Sequence, residues 1–440
     1  MTAVGVVAAA DAAVAVGAES LTPLSLREPE VERTVLANGI RIVTERMPEA
    51  RSVTTGFWVA VGGRDEPAEL AGASHFLEHL VFKGSERRSA REIAEAVDAV
   101  GGEMNAYTSR EHTAYYTRLP SSALDLGLDL LTDVLAKPAV REHELDAERE
   151  VILEELALSE DTPDDKVHTL LSDALFPGHP LGREVLGDEQ SVEAMTRADV
   201  LGFFGERYRP ANVVVTAAGR LEHADVVRGV ESFLAGVDTG SPPKRTAPEP
   251  GIVPLVVEHR DTEQAHLALG WRAFPTDDPD RYALAVANQV LGVGMASRLF
   301  QEVREERGMA YSVWSSSSLY SDAGCLVAYA GTSPGKVREV LKVVDGVITT
   351  LVEGGITEHE LAVAAGYLEG SLVLALEDSG SRMSRLGRGE LATTDLIGVD
   401  EQVARIRAVT VDDVRAVVKR VFTSERSLAA IGPFDADDLT

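Results

Sequence analysis

The chain has 440 residues, 45% of them apolar and 26% charged, the balance of a globular protein with more than one hydrophobic core. It carries 71 acidic against 42 basic residues, and the resulting net charge of −29 disfavours nucleic acid, whose phosphates need a basic surface, while suiting a cationic partner such as a basic peptide. No apolar run is long enough to span a bilayer, and the lone cysteine, Cys325, excludes an internal disulfide, so a soluble protein in a reducing compartment is expected.

Residues 1–30 are rich in Ala and Val and hold no basic residue before Arg27. That is neither a secretory signal nor an Arg-rich transit pattern, so the segment reads as a flexible N-terminal arm, and a cytoplasmic location is expected. Apolar runs at Gly39–Val43 and Val53–Val61 predict strands. The stretch from His75 to His79 then reads H-x-x-E-H. On a helix, at about 100° per residue, His75, Glu78, His79 and Phe82 share one face, while Leu77, Leu80 and Val81 point the other way into a core. Two imidazoles one turn apart can share a zinc ion, and Glu78 between them is placed to take a proton from activated water. This is the inverted form of the zinc-protease helix.

Ser89 and Glu92 form a capping box that starts a helix, and Gly101 would stop it. A catalytic zinc needs a third protein ligand, and the acidic helix from Glu148 to Glu155 is the best supplier. Glu148 and Glu155 are two turns apart with Ile152 between them, so that face can offer one carboxylate to the metal and a second nearby. Val213–Ala217 predicts a further strand. The Pro- and Gly-rich stretch Thr239–Gly251 reads as part of a linker, set at 239–262, between a first domain at 31–238 and a second at 263–440. Strands are predicted again at His266–Trp271 and Leu326–Ala330. The two halves echo each other. Glu142–Leu145 recurs as Glu358–Leu361, and the T-x-x-D-V of Thr196–Val200 recurs at Thr410–Val414, at nearly constant spacing. The fold expected is α+β, in two homologous halves of mostly antiparallel sheet packed with helices.

The segment Gly72–Gly84 resembles the zinc helix of the pitrilysin/insulinase metallopeptidases, the nearest branch being the β subunit of mitochondrial processing peptidase and its bacterial homologues. Further matches follow in order at Glu148–Glu155, Gly101–Thr108, and Gly294–Phe300 continuing through Arg304 to Tyr311. The resemblance implies two homologous halves enclosing a chamber, with one Zn2+ per chain held by His75, His79 and Glu155. Glu148 would support the site and Glu78 would act as general base. Arg304 and Tyr311 match a pair that reaches across the chamber to hold substrate and stabilise the oxyanion. Asn105 and Ala106 match a strand that pairs with substrate backbone, Phe82 would wall a substrate pocket or belong to the core, and Asp165 matches an acid that selects arginine. A second such acid is replaced by Thr169. The second half has Gly370 and Ser371 where Glu154 and Glu155 would repeat, so it should bind no metal. A peptide substrate, arginine-containing, and a homodimer acting without other subunits are implied. Two rival readings stay open: a non-catalytic assembly protein, like the family's core subunits of a respiratory complex, and a scavenger of small peptides.

Overall fold

The computed structural model describes residues 30–392 and 396–439; the expected arm, apart from Glu30, lies outside them. Six strands build the first sheet: β1 (Glu30–Val35), β2 (Arg41–Arg46), β3 (Ser52–Val59), β4 (Glu103–Thr108), β5 (Thr113–Pro120) and β6 (Val213–Gly219), in the order β1-β2-β6-β3-β5-β4. Five build the second: β7 (Leu255–His259), β8 (Ala265–Ala273), β9 (Ala310–Leu319), β10 (Gly324–Thr332) and β11 (Arg426–Gly432), in the order β7-β11-β8-β10-β9. With β1 set aside the two orders coincide. In each sheet a single neighbouring pair is parallel, β2 with β6 and β7 with β11. The fold is therefore α+β and built twice, as the repeats predict. Both T-x-x-D-V signatures are capping boxes: Thr196 and Thr410 accept the N–H of Asp199 and Asp413 at the starts of helices Arg197–Arg207 and Val411–Phe422.

One boundary differs from the expectation. Residues 239–254 form neither helix nor strand, as their proline and glycine dictate, but Leu255–His259 is β7, paired in parallel with β11. The apolar run Leu255-Val256-Val257 is strand-forming, so the second half starts inside the expected linker of 239–262.

The central strands are buried on both faces, which requires two covering layers. On one face of the first sheet, Phe57 and Tyr115 pack with Phe76, Leu77 and Leu80 of helix Ala73–Val81 and with Leu128 and Leu131 of helix Leu124–Ala136. The other face, with Trp58, Ala114, Val214 and Ala218, is covered by Met383 of helix Ser379–Ala392, a helix that follows the second sheet's β10 in the chain. The second sheet is served in return: Val167, Leu171 and Leu175 of helix Pro163–Leu175 cover Ala268, Tyr329, Ala429 and Ile431. The halves thus exchange equivalent helices. Glycine admits the close approach on both sides. A Cβ at Gly387 would fall 2.0 Å from Trp58 Cε2, and one at Gly270 would fall 2.7 Å from Leu175 Cδ1.

Buried ion pairs fix the exchange. Glu45, fully buried in β2, is held by Arg382 and Arg385 of the incoming helix, and its fully buried Glu390 accepts Arg33 of β1 at 2.8 Å. Arg64, also buried, meets Glu111 and Asp322 at 2.6 Å each and the Thr246 carbonyl at 2.8 Å, joining first half, connecting segment and second half. An uncompensated charge at any of these points would be costly, so the pairs specify how the halves sit together. No helix among the described residues is long and apolar enough to cross a membrane.

Candidate metal centre

Helix Ala73–Val81 begins at Gly72, whose φ of 90° is left-handed, and no capping side chain stands at that position. Instead the buried carboxylate of Glu66 accepts the N–H of Gly72 at 2.7 Å and of Ser74 at 2.6 Å. It satisfies two free donors of the helix start and, when ionised, sets a negative charge at the positive end of the dipole. Burial lifts the Glu66 carboxyl to about 7, against the lowering effect of these donors. Leu77, Leu80 and Val81 are fully buried, so the opposite face, with His75, Glu78 and His79, is fixed toward helix Glu142–Asp161. Ile152 and Leu145 anchor that second helix in the core and orient Glu148 and Glu155 on the facing stripe.

His75, His79 and Glu155 each offer a ligand atom within 4.8 Å of the others, the one such group of three among the described residues. Both imidazole Nε2 atoms lie 3.7 Å from Glu155 Oε2. Ligands about 2.0–2.2 Å from a tetrahedral zinc stand roughly 3.3–3.5 Å from one another, so each imidazole nitrogen needs only a small shift toward the Glu155 oxygen to share one ion with it. A neutral imidazole pair with one carboxylate is also a zinc-type donor set with room for a fourth position. His79 Nδ1 donates to Glu148 Oε2 at 3.0 Å, which leaves Nε2 free to ligate. Burial, then the neighbouring His79, pulls the His75 imidazole down to about 4, so it stays neutral near pH 7. Burial raises the Glu78 carboxyl while the hydrogen bond donated by the Thr108 hydroxyl opposes the rise.

The remaining predicted residues divide into three groups. Asn105 and Ala106 lie on β4, the strand at the sheet edge next to the metal helix; the Asn105 side-chain oxygen accepts the Ala106 N–H at 2.8 Å. Phe82, half-buried, packs against the first core with its ring 6.3 Å from Tyr115. Asp165 is exposed on helix Pro163–Leu175, and Thr169 on the same helix donates to Glu184 at 2.6 Å. Arg304 and Tyr311 form a pair of their own in the second half: the guanidinium lies 4.6 Å over the Tyr311 ring and 4.8 Å over Phe300. Arg304 belongs to a π-helical turn, Phe300–Glu305, and Tyr311, 81% exposed, is the second residue of the edge strand β9. Such turns recur at functional sites. No hydrogen bond or ion pair of the described residues joins this pair to the metal helix.

Sequence reasoning passed over Glu66, Lys83 and Thr108 as partners. Lys83 Nζ reaches Glu148 Oε1 at 2.6 Å, and Thr108 ends the strand that carries Asn105. Only the acidic residue six positions before Gly72 was a local signal, since an uncapped helix start needs an acceptor.

The chain belongs to the insulinase (peptidase M16) family. That family's model matches residues 41–189, and the model described as the peptidase M16 inactive domain matches residues 194–366. An uncharacterized zinc protease of Streptomyces coelicolor is 45% identical over 92% of this chain and 90% of its own length. One from Mycobacterium tuberculosis is 44% identical over 91% and 93%, and the YmxG zinc protease of Bacillus subtilis 38% over 92% and 98%. Among solved structures, a protease from Helicobacter pylori superposes with a TM-score of 0.85 at 23% identity, covering 92% of this chain and all of the other. A peptidase M16 inactive domain from Pseudomonas fluorescens gives 0.86 at 22%, covering 92% and 99%. At those identities the two structures speak to the fold alone.

Proposed function

We propose that the protein is a zinc-dependent endopeptidase that cleaves extended peptides or precursor segments. The observation that carries this is the convergence of His75, His79 and Glu155 on one point, with Glu78 beside them on the same helix face. Zinc held there supplies Lewis acidity, acidifying water and polarising a carbonyl oxygen. Glu78, its carboxyl raised by burial, takes the proton from that water and returns it to the leaving amine. Thr108 orients the Glu78 carboxylate. Because Thr108 terminates β4, a substrate added as a further strand beside Asn105 and Ala106 would lie in register with the base. Arg304 and Tyr311 would donate to the developing oxyanion from the second half, across a chamber closed by the two halves or by a second copy. Asp165 and the overall negative charge favour a cationic, arginine-containing substrate. A cytoplasmic homodimer with one zinc per chain completes the reading.

The non-catalytic alternative draws on the match to an inactive domain, but that match covers residues 194–366, beyond all four of His75, Glu78, His79 and Glu155. The test compares native protein with Glu78→Gln. Each should hold about one zinc per chain, since Glu78 is no ligand, while cleavage of an unstructured arginine-containing peptide falls about 100- to 10,000-fold in the variant. Native protein free of zinc and inactive would support the assembly reading; unchanged cleavage in the variant would move the chemistry elsewhere.

A further inference from the structure

Glu148 is nearly buried, with a side chain 8% exposed, and each of its oxygens has one partner: Oε2 accepts His79 Nδ1 at 3.0 Å and Oε1 meets Lys83 Nζ at 2.6 Å. We infer that Lys83 is a positioning residue of the metal centre, holding the Glu148 carboxylate in the one orientation that aims the other nitrogen of His79 at the metal position.

A carboxylate that must direct a ring nitrogen has to be fixed in its own plane. Ile152 and Leu145 fix the backbone of helix Glu142–Asp161, but the glutamate side chain still has three rotatable bonds. Lys83 removes that freedom from the far side. It stands two residues past Val81, the last residue of the metal helix, and its N–H bonds the Leu80 carbonyl at 3.1 Å. Its own carbonyl accepts Arg141 Nη1 at 3.4 Å, and Arg141 directly precedes helix Glu142–Asp161. The ammonium therefore ties the end of one metal-bearing helix to the carboxylate of the other. Without it, Glu148 would keep a single partner and the His79 ring would lose a fixed acceptor. Ordered partners of this kind around a ligating histidine are worth about 10- to 100-fold in metal affinity.

This inference rests on the zinc reading above, and zinc affinity measured by competition with a chromogenic chelator tests the two separately. Five proteins are compared: native, Lys83→Met, Lys83→Arg, Glu148→Gln, and Lys83→Met with Glu148→Gln. Thermal unfolding confirms that each is folded. Lys83→Met should weaken zinc binding about 10-fold and Lys83→Arg should recover most of the loss. In the Glu148→Gln background the Lys83→Met change should shift affinity by less than about 2-fold, because its route to the metal is already cut. Native-like affinity in Lys83→Met, or an equal loss with and without Glu148, overturns the role of Lys83. Native protein that takes up no zinc overturns the zinc reading itself, and with it this inference.

Discussion

His112 lies between Trp58 and Tyr107, with ring centroids 5.6 Å and 5.8 Å away, and its Nε2 is buried without a hydrogen-bond partner. Burial, and then Arg388, pushes the imidazole down to about 4. In the unfolded chain the ring titrates near its ordinary value, about 6.5. Between these values the unfolded chain binds the additional proton, so His112 stabilises the fold above pH 6.5 and loses that contribution as pH falls toward 4. Lowering pH from 7 to 5 should cost about 2 kcal/mol through this residue. Urea unfolding of metal-stripped native protein and His112→Gln at both pH values checks it. The variant should lose less stability than the native chain over that interval, and equal losses would exclude His112. Chemistry of this kind was not legible in the sequence. The H-x-x-E-H signature is local, five consecutive residues of one helix, whereas the surroundings of His112 come from β3, β4 and the charge of the second half's Arg388. The pairings of Thr108 with Glu78 and of Lys83 with Glu148 are illegible for the same reason: each joins two elements, where spacing along the chain carries no signal.

Capping boxes, most strands and the duplication of the halves follow from patterns of a few residues and were legible; the order of the strands within each sheet was not. Thr196 with Asp199 and Ser89 with Glu92 start their helices where the sequence says. The exchange of helices Pro163–Leu175 and Ser379–Ala392 was not, because their apolar faces would pack equally well on either sheet by composition alone. What decides is shape, at Gly270 and Gly387, together with the buried charges of Glu45 and Glu390 and their arginines. Strand β4 illustrates what an element can contribute to function. Among the described residues it pairs with β5 alone, and its Ala106 N–H, held here by the Asn105 side chain, is the donor that a substrate strand would take over. Proline at an edge position removes a donor without breaking the interior ladder. Ala106→Pro should therefore lower kcat/KM about 10-fold, the worth of one hydrogen bond at its upper range, through KM and with zinc content unchanged. A loss confined to kcat would mean that β4 does not carry the substrate.

At the scale of the molecule, the two halves are joined by a strap without helix or strand, mostly exposed over 241–250, yet their sheets are covered by each other's helices. Cutting the strap should therefore leave the protein whole. Limited proteolysis within 239–254 should yield two fragments that co-elute on gel filtration and part only in denaturant. Fragments that separate under native conditions would mean that the exchanged helices and the Arg64 cluster hold the halves together less firmly than the packing implies.

The same exchange constrains how the chain is made. Trp58, Val214 and Ala218 await a helix that ends roughly 170 residues after β6, and at about 5–20 residues per second its synthesis takes some 10–35 s. During that interval a translated first half has this apolar sheet face without its covering helix, so the first half reaches its final packing only after the second half has been made.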